Sequence, residues 1–224
     1  MQHNALLVRY SALVEHDAVE LSRLIGDRIR DERTKQNLTL DELAEQADLS
    51  RRMLVSVEKG EANPSVSTLL KLSDALGIGL PALVEPPEDS RVRVVRSGEG
   101  ALLWSGKNGG TGVLVAGTEP PDVVELWDWT LEAGEEMRSA PHVEGTRELL
   151  YVFEGELFVL VEGETHHLYT GDVISFYGDS THKYMNRSSQ PVRYALTVFE
   201  PNVGDAKRKL ARDAAELKGQ SNKK

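Results

Sequence analysis

The sequence predicts a two-domain chain, a small all-α domain followed by an all-β barrel, and three observations carry that prediction. From residue 20 to 84 the apolar residues recur at helical spacing, as in Leu21, Leu24, Ile25 and Ile29 and again in Leu69, Leu72 and Leu76. At Glu85-Pro86-Pro87-Glu88-Asp89-Ser90, two prolines and three acids stop any helix. Beyond that break, short runs rich in Val, Leu, Tyr and Phe alternate with glycine-containing turns, the pattern of many short strands. The chain therefore divides into a helical domain at 20–85, a linker and leading strand at 86–98, a barrel domain at 99–204 and a polar tail at 205–224. Ala206, Leu210, Ala214 and Leu217 would line one face of a short helix in that tail.

Composition narrows the chemistry. The 224 residues include no cysteine, which removes disulfides, cysteine nucleophiles and thiolate metal sites and leaves His and carboxylates as the strong ligands. No apolar run is long enough for a signal peptide or membrane span, so a soluble cytoplasmic protein with no membrane partner is expected. Net charge is −10, and the first 85 residues carry 10 Lys and Arg against 14 Asp and Glu. A nucleic-acid role must therefore rest on where the charges sit.

Helix boundaries in the first domain are legible. Thr39 is a good N-cap, and Glu42 three residues later completes a capping box for a helix at 40–47. Asp48-Leu49 makes a turn, Ser50 caps a second helix at 51–59, and Gly60 stops it. Two short helices joined by so short a turn form a helix-turn-helix. Leu43, Ala44, Leu49, Leu54 and Val57 fall on the face between the helices, which leaves Arg51, Arg52, Val55 and Ser56 outward on the second. N-terminal residues of a second helix reach base edges in the major groove, and the arginine fork matches guanine O6 and N7. The preceding helix adds Arg23, Arg28, Arg30, Arg33 and Lys35 to the basic inventory.

The stretches Leu38-Thr39-Leu40-Asp41-Glu42-Leu43-Ala44, Leu49-Ser50, Ser56-Val57-Glu58-Lys59-Gly60 and Asn63-Pro64-Ser65 resemble the lambda-repressor-like (xenobiotic-response-element type) family. That resemblance implies a five-helix DNA-binding domain with its recognition helix at 51–59. It also implies phosphate contacts from Thr39, Lys59 and the loop carrying Asn63 and Ser65, and a structural part for Glu58.

In the second domain, His142-Val143-Glu144-Gly145-Thr146-Arg147-Glu148 precedes Gly155, and Gly171 precedes His182 and Asn186. The spacing resembles the two motifs of the cupin family, which implies a double-stranded β-helix barrel. Alternation along a strand would point His142 and Glu144 the same way, with Glu148 on the next strand and His182 returning from the second motif. This set, His142, Glu144, Glu148 and His182, can hold one divalent ion (Zn, Fe, Mn or Ni). Equally, His142, Glu148, His182 and Tyr184 can bind a small-molecule effector directly. The sequence departs from the family pattern: Glu144 stands where histidine is usual, and Tyr177 replaces a proline.

The expected function is a sequence-specific transcriptional regulator with no catalytic residue, a homodimer on a double-stranded DNA operator, whose barrel senses an effector. The alternative is a metal-dependent enzyme of the dioxygenase or isomerase class tethered to a DNA-binding domain. The altered ligand set weighs against it, because a redox-active site needs its full shell.

Overall fold

The computed structural model describes residues 2–84 and 92–204, with side chains from residue 19 onward. The break at 85–90 and the tail helix expected at 206–217 lie outside the described residues.

Five helices come first: α1 (Gln2–Lys35), α2 (Leu40–Gln46), α3 (Arg51–Glu58), α4 (Val66–Leu76) and α5 (Gly79–Val84). Their ends follow local chemistry. Thr39 and Glu42 close a reciprocal capping box on α2, while Ser50 and Ser65 accept from the backbone N–H groups of Met53 and Thr68 to cap α3 and α4. Gly77, at φ 69°, ends α4 in the left-handed conformation that costs a glycine nothing. Ile25, Ile29, Leu43, Leu54, Leu69 and Leu72 fill the core between the helices. The backbones of α1 and α3 approach so closely at Gly26 that a Cβ there would meet Val57 O at 2.3 Å.

Ten strands follow: β1 (Ala101–Ser105), β2 (Thr111–Gly117), β3 (Val123–Leu131), β4 (Glu136–Ser139), β5 (Arg147–Glu154), β6 (Glu156–Val161), β7 (Glu164–Tyr169), β8 (Val173–Tyr177), β9 (His182–Met185) and β10 (Val192–Glu200). They form a six-stranded sheet, β1-β2-β3-β10-β5-β8, against a four-stranded one, β4-β9-β6-β7, all antiparallel. The leading strand expected before residue 98 does not form among residues 92–98, and the first sheet begins at Ala101. Strand alternation buries Trp127, Trp129, Tyr184 and Tyr194 inside, stacked ring on ring, and turns Tyr151 outward.

The two domains touch through small residues. A Cβ at Gly117 of β2 would fall 2.1 Å from Pro81 Cγ of α5, and one at Gly79 would fall 2.8 Å from Val123 Cγ2 of β3. Glycine at both points lets α5 lie against the larger sheet. This contact brings α4 to the barrel mouth.

Candidate functional site

Two sites emerge, one on each domain. On the helical domain, Arg51, Arg52 and Met53 are exposed at the start of α3, with Val55 and Ser56 half-buried behind them. Arg51 Nε rests 3.1 Å from Asp41 Oδ1, both side chains well exposed, so the pair is weak and free to part. Lys59, Asn63 and Ser65 are exposed at the far end of α3 and in the loop that follows. Thr39 and Ser50 are committed as N-caps. Arg28, Arg30 and Arg33 of α1 serve the fold instead, whereas Arg23 is exposed. Arg28 donates to Leu83 O, Arg30 to Glu58 O, and Arg33 to Leu38 O and to both carboxylate oxygens of the buried Glu58.

In the barrel, His142, Glu148 and His182 converge, with one ligand atom of each within 4.8 Å of the others. Glu148 arrives on β5 and His182 on β9, each at an inward position of its strand. His142 comes from the loop between β4 and β5, fixed because its N–H donates to Gly178 O while Gly178 N–H donates to Thr146 O. A Cβ at Gly178 would fall 3.0 Å from Glu148 Oε1, so the glycine keeps room beside the cluster.

Glu144 does not join them. Residues 141–146 are loop rather than strand, so the two-residue alternation that would have aligned Glu144 with His142 does not operate, and Glu144 is exposed. Its place is taken by acids that the motif spacing did not flag. Glu200, at the end of β10, lies with Oε1 3.3 Å from His142 Nδ1, and Glu125 of β3 is buried nearby, accepting from Trp127 Nε1 at 2.9 Å. The available signal was an acid in the apolar phase of a strand, as in Val123, Glu125, Trp127, Trp129, Leu131.

The protonation chemistry is set by these contacts. His182 Nδ1 meets Ser180 O at 2.8 Å, and a carbonyl only accepts, so Nδ1 carries the proton. That leaves His182 Nε2 facing Glu148 Oε1 at 3.0 Å, and neither atom has a hydrogen-bond partner. His142 Nε2 approaches the same oxygen at 3.2 Å. Burial opposes charge on His142, but the carboxylates of Glu148 and Glu200 outweigh it and raise the imidazole to about 10. Burial likewise resists ionisation of Glu148, yet the two histidines hold it down at about 2. Tyr184 donates its hydroxyl to Glu148 Oε2. Two further buried carboxylate oxygens, Glu125 Oε1 and Glu200 Oε2, have no partner.

Similarity to known proteins agrees with both halves. Residues 29–83 match the helix-turn-helix family and residues 127–199 the cupin domain family. The chain is 26% identical over 181 residues to the HTH-type transcriptional regulator SutR of Escherichia coli, across 81% of this chain and 97% of that one. It is 32% identical over 72 residues to the uncharacterized HTH-type transcriptional regulator y4dJ of Sinorhizobium fredii, covering 32% of this chain and 94% of the relative. This chain belongs to the helix-turn-helix family of transcriptional regulators and carries a cupin domain. An HTH_3 family transcriptional regulator from Vibrio cholerae shares the fold, with a TM-score of 0.62 at 24% identity over 82% of this chain and 99% of that one.

The protein is thus a DNA-binding regulator. Its cupin barrel opens toward its own helical domain. A cavity of about 100 Å³ lies between α4 and the end of β4, and a second of about 30 Å³ continues inward to Glu148 and His182. Asp74 of α4 lines the outer cavity; enclosure there and the Glu200 carboxylate raise its carboxyl, against the His142 imidazole, to about 6. No described helix is long and apolar enough to cross a membrane.

Proposed function

We propose that this regulator is a cytoplasmic homodimer that reads its operator through α3 and changes its grip when the cupin cavity is filled by an effector. Exposed Arg51 and Arg52, with Val55 and Ser56, are the base-reading set, and Thr39, Ser50, Lys59, Asn63 and Ser65 flank them for phosphate contacts. One recognition helix covers only a few base pairs, so a second copy supplies the remaining specificity. The outer face of β5 and β8 supports pairing, since Leu149, Tyr151, Phe153, Val173 and Tyr177 are each 43–62% exposed there. A contiguous apolar patch of this kind marks an interaction surface.

The observation that carries the effector reading is the set of unpartnered acceptors at the barrel floor. His182 Nε2 and Glu148 Oε1 face each other at 3.0 Å without hydrogen-bond partners, which is costly for buried polar atoms, while His142 Nε2 meets Ser139 Oγ at 3.2 Å beside them. A positive centre among them removes that cost. His142, Glu148 and His182 fit one divalent ion of Zn, Fe, Mn or Ni: their donor atoms converge, and both Nδ1 atoms are held by oxygens, which is how ligating histidines are oriented. Such an ion would supply a Lewis-acidic anchor for the polar end of an effector, with Tyr184 beside it. The relatives named as regulators favour sensing over turnover.

Equilibrium dialysis against each ion, then operator titration with and without the one retained, tests this. One ion per chain and a changed operator affinity are expected. Absence of ion uptake, together with no thermal shift from any metabolite in a screen, would sink the sensing role.

A further inference from the structure

Both cavities have walls from two domains. The barrel supplies Met137 and Ser139 of β4 and His142 beyond it, and the helical domain supplies Val66, Leu70 and Asp74 of α4. Spaced by four, these last three form one stripe along the helix. Val66 and Leu70 also line the inner cavity, whose floor includes Glu125, Glu148, His182 and Tyr184. The wall of the candidate effector site is therefore part of the DNA-binding domain.

The far side of α4 is locked into that domain. Leu69, Leu72 and Leu76 are buried in its core. Lys71, which lines the outer cavity, also reaches the α2–α3 turn, with Nζ 2.8 Å from Asp48 Oδ2 and 3.4 Å from Asp48 O. A displacement of α4 is thus transmitted to the segment that sets α3 against α2. Packed interiors respond to such a push by rearranging, since they have little free volume to absorb it.

We propose that α4 is the sensing surface of the regulator: the effector site is shared between the domains, and its occupant acts on DNA binding by direct contact with the Val66–Leu70–Asp74 stripe. This rests on the effector reading above and names its route. It also defines the ligand class. A polar head, alone or through an ion, meets the acceptor-lined floor, and an apolar body meets Val66, Leu70 and Met137.

The absence of native cysteine permits a test that needs no effector. Met137→Cys, the only thiol in the full-length chain, is modified with a short alkyl methanethiosulfonate so that the label occupies the cavity. Operator affinity should change by roughly 5–150-fold on labelling, the usual range of allosteric coupling. Adding Leu70→Ala, which removes the contacted wall, should erase most of that change. The exposed position Glu164→Cys, labelled in the same way, should leave affinity unaltered. If Met137→Cys fails to fold by circular dichroism, Arg138→Cys at the exposed cavity mouth replaces it. Complete labelling with unchanged affinity overturns the proposal, and so does a change that survives Leu70→Ala. Either result would leave effector binding at His142, Glu148 and His182 standing, because the label does not depend on it.

Discussion

Arg33 of α1 holds Glu58 of α3 through two bonds, Nε to Oε1 at 2.6 Å and Nη2 to Oε2 at 2.9 Å, with both side chains largely buried. Bidentate geometry makes this a strong pair, and burial makes it unforgiving. Glu58→Ala leaves the guanidinium buried with only Leu38 O as a partner. A loss of about 3–5 kcal/mol is expected for breaking such a pair. By contrast Asp48→Asn, which removes the charge of the exposed partner of Lys71 and suits the φ of 50° there, should cost under about 1 kcal/mol. Urea unfolding of the three proteins checks the contrast, and equal losses would contradict it.

The recognition assignment predicts a split between specificity and affinity. Arg51→Ala and Arg52→Ala should each weaken operator binding by about 1–3 kcal/mol and relax preference at one base pair. Lys59→Ala should weaken all sequences alike and reduce the salt slope by about 1. Titrations on operator and scrambled DNA at several salt concentrations separate these outcomes. Wild-type operator affinity in both arginine variants would remove α3 from the interface.

Much of this was legible in the sequence for identifiable reasons. Thr39 with Glu42, Ser50 and Gly60 are local signals, and α2 and α3 formed where those signals stood. Strands with strict alternation, such as Val123–Leu131 and Val192–Glu200, were equally plain. Short strands such as β4 and β9 carry too few residues to show a period and draw their order from pairing with each other. Strand alternation does not govern Glu144 because residues 141–146 are loop, and Glu200 carries no motif signal because its role depends on β10 lying beside β5 in the sheet. The position of α4 over the barrel mouth is purely tertiary, so no motif announces it.

Dimer formation through β5 and β8 can be broken selectively. Tyr151→Lys with Phe153→Lys places two charges on the exposed apolar face without touching the barrel interior. Sedimentation should then show a monomer, far-UV circular dichroism should be unchanged, and operator affinity should drop sharply as paired half-sites are lost. A dimer surviving both changes would place the interface elsewhere.

Glu125 gives a prediction in pH. Burial and the Glu200 carboxylate push it up to about 8, well above an unfolded value near 4.5. Because the folded value is raised, the acid's contribution to stability is fully present below about 4.5 and is lost as pH rises through about 8. Glu125→Gln keeps an acceptor for Trp127 Nε1 and removes the titration. The variant should therefore melt close to wild type at pH 5 and above it at pH 9. A difference that does not grow with pH would show that Glu125 is not neutral in the fold.

The last prediction concerns the imidazole pair. His142 and His182 stack at 5.7 Å between centroids, and their Nε2 atoms approach the same carboxylate oxygen, so removing both rings empties the floor of nitrogen ligands. His142→Ala with His182→Ala should abolish uptake of a divalent ion and with it any ion-dependent rise in melting temperature. At an ion concentration 100 times Kd that rise corresponds to about 2.7 kcal/mol in the parent protein. Ligand-free operator affinity should hardly change, because neither residue touches α3 and no arginine or lysine is altered. The ligand response should vanish, since what fills the floor no longer has an anchor from which to press on Leu70. An operator titration of both proteins, with and without the retained ion, measures these effects together. A full ligand response in the double variant would take the sensing role away from these histidines and assign it to the outer cavity alone.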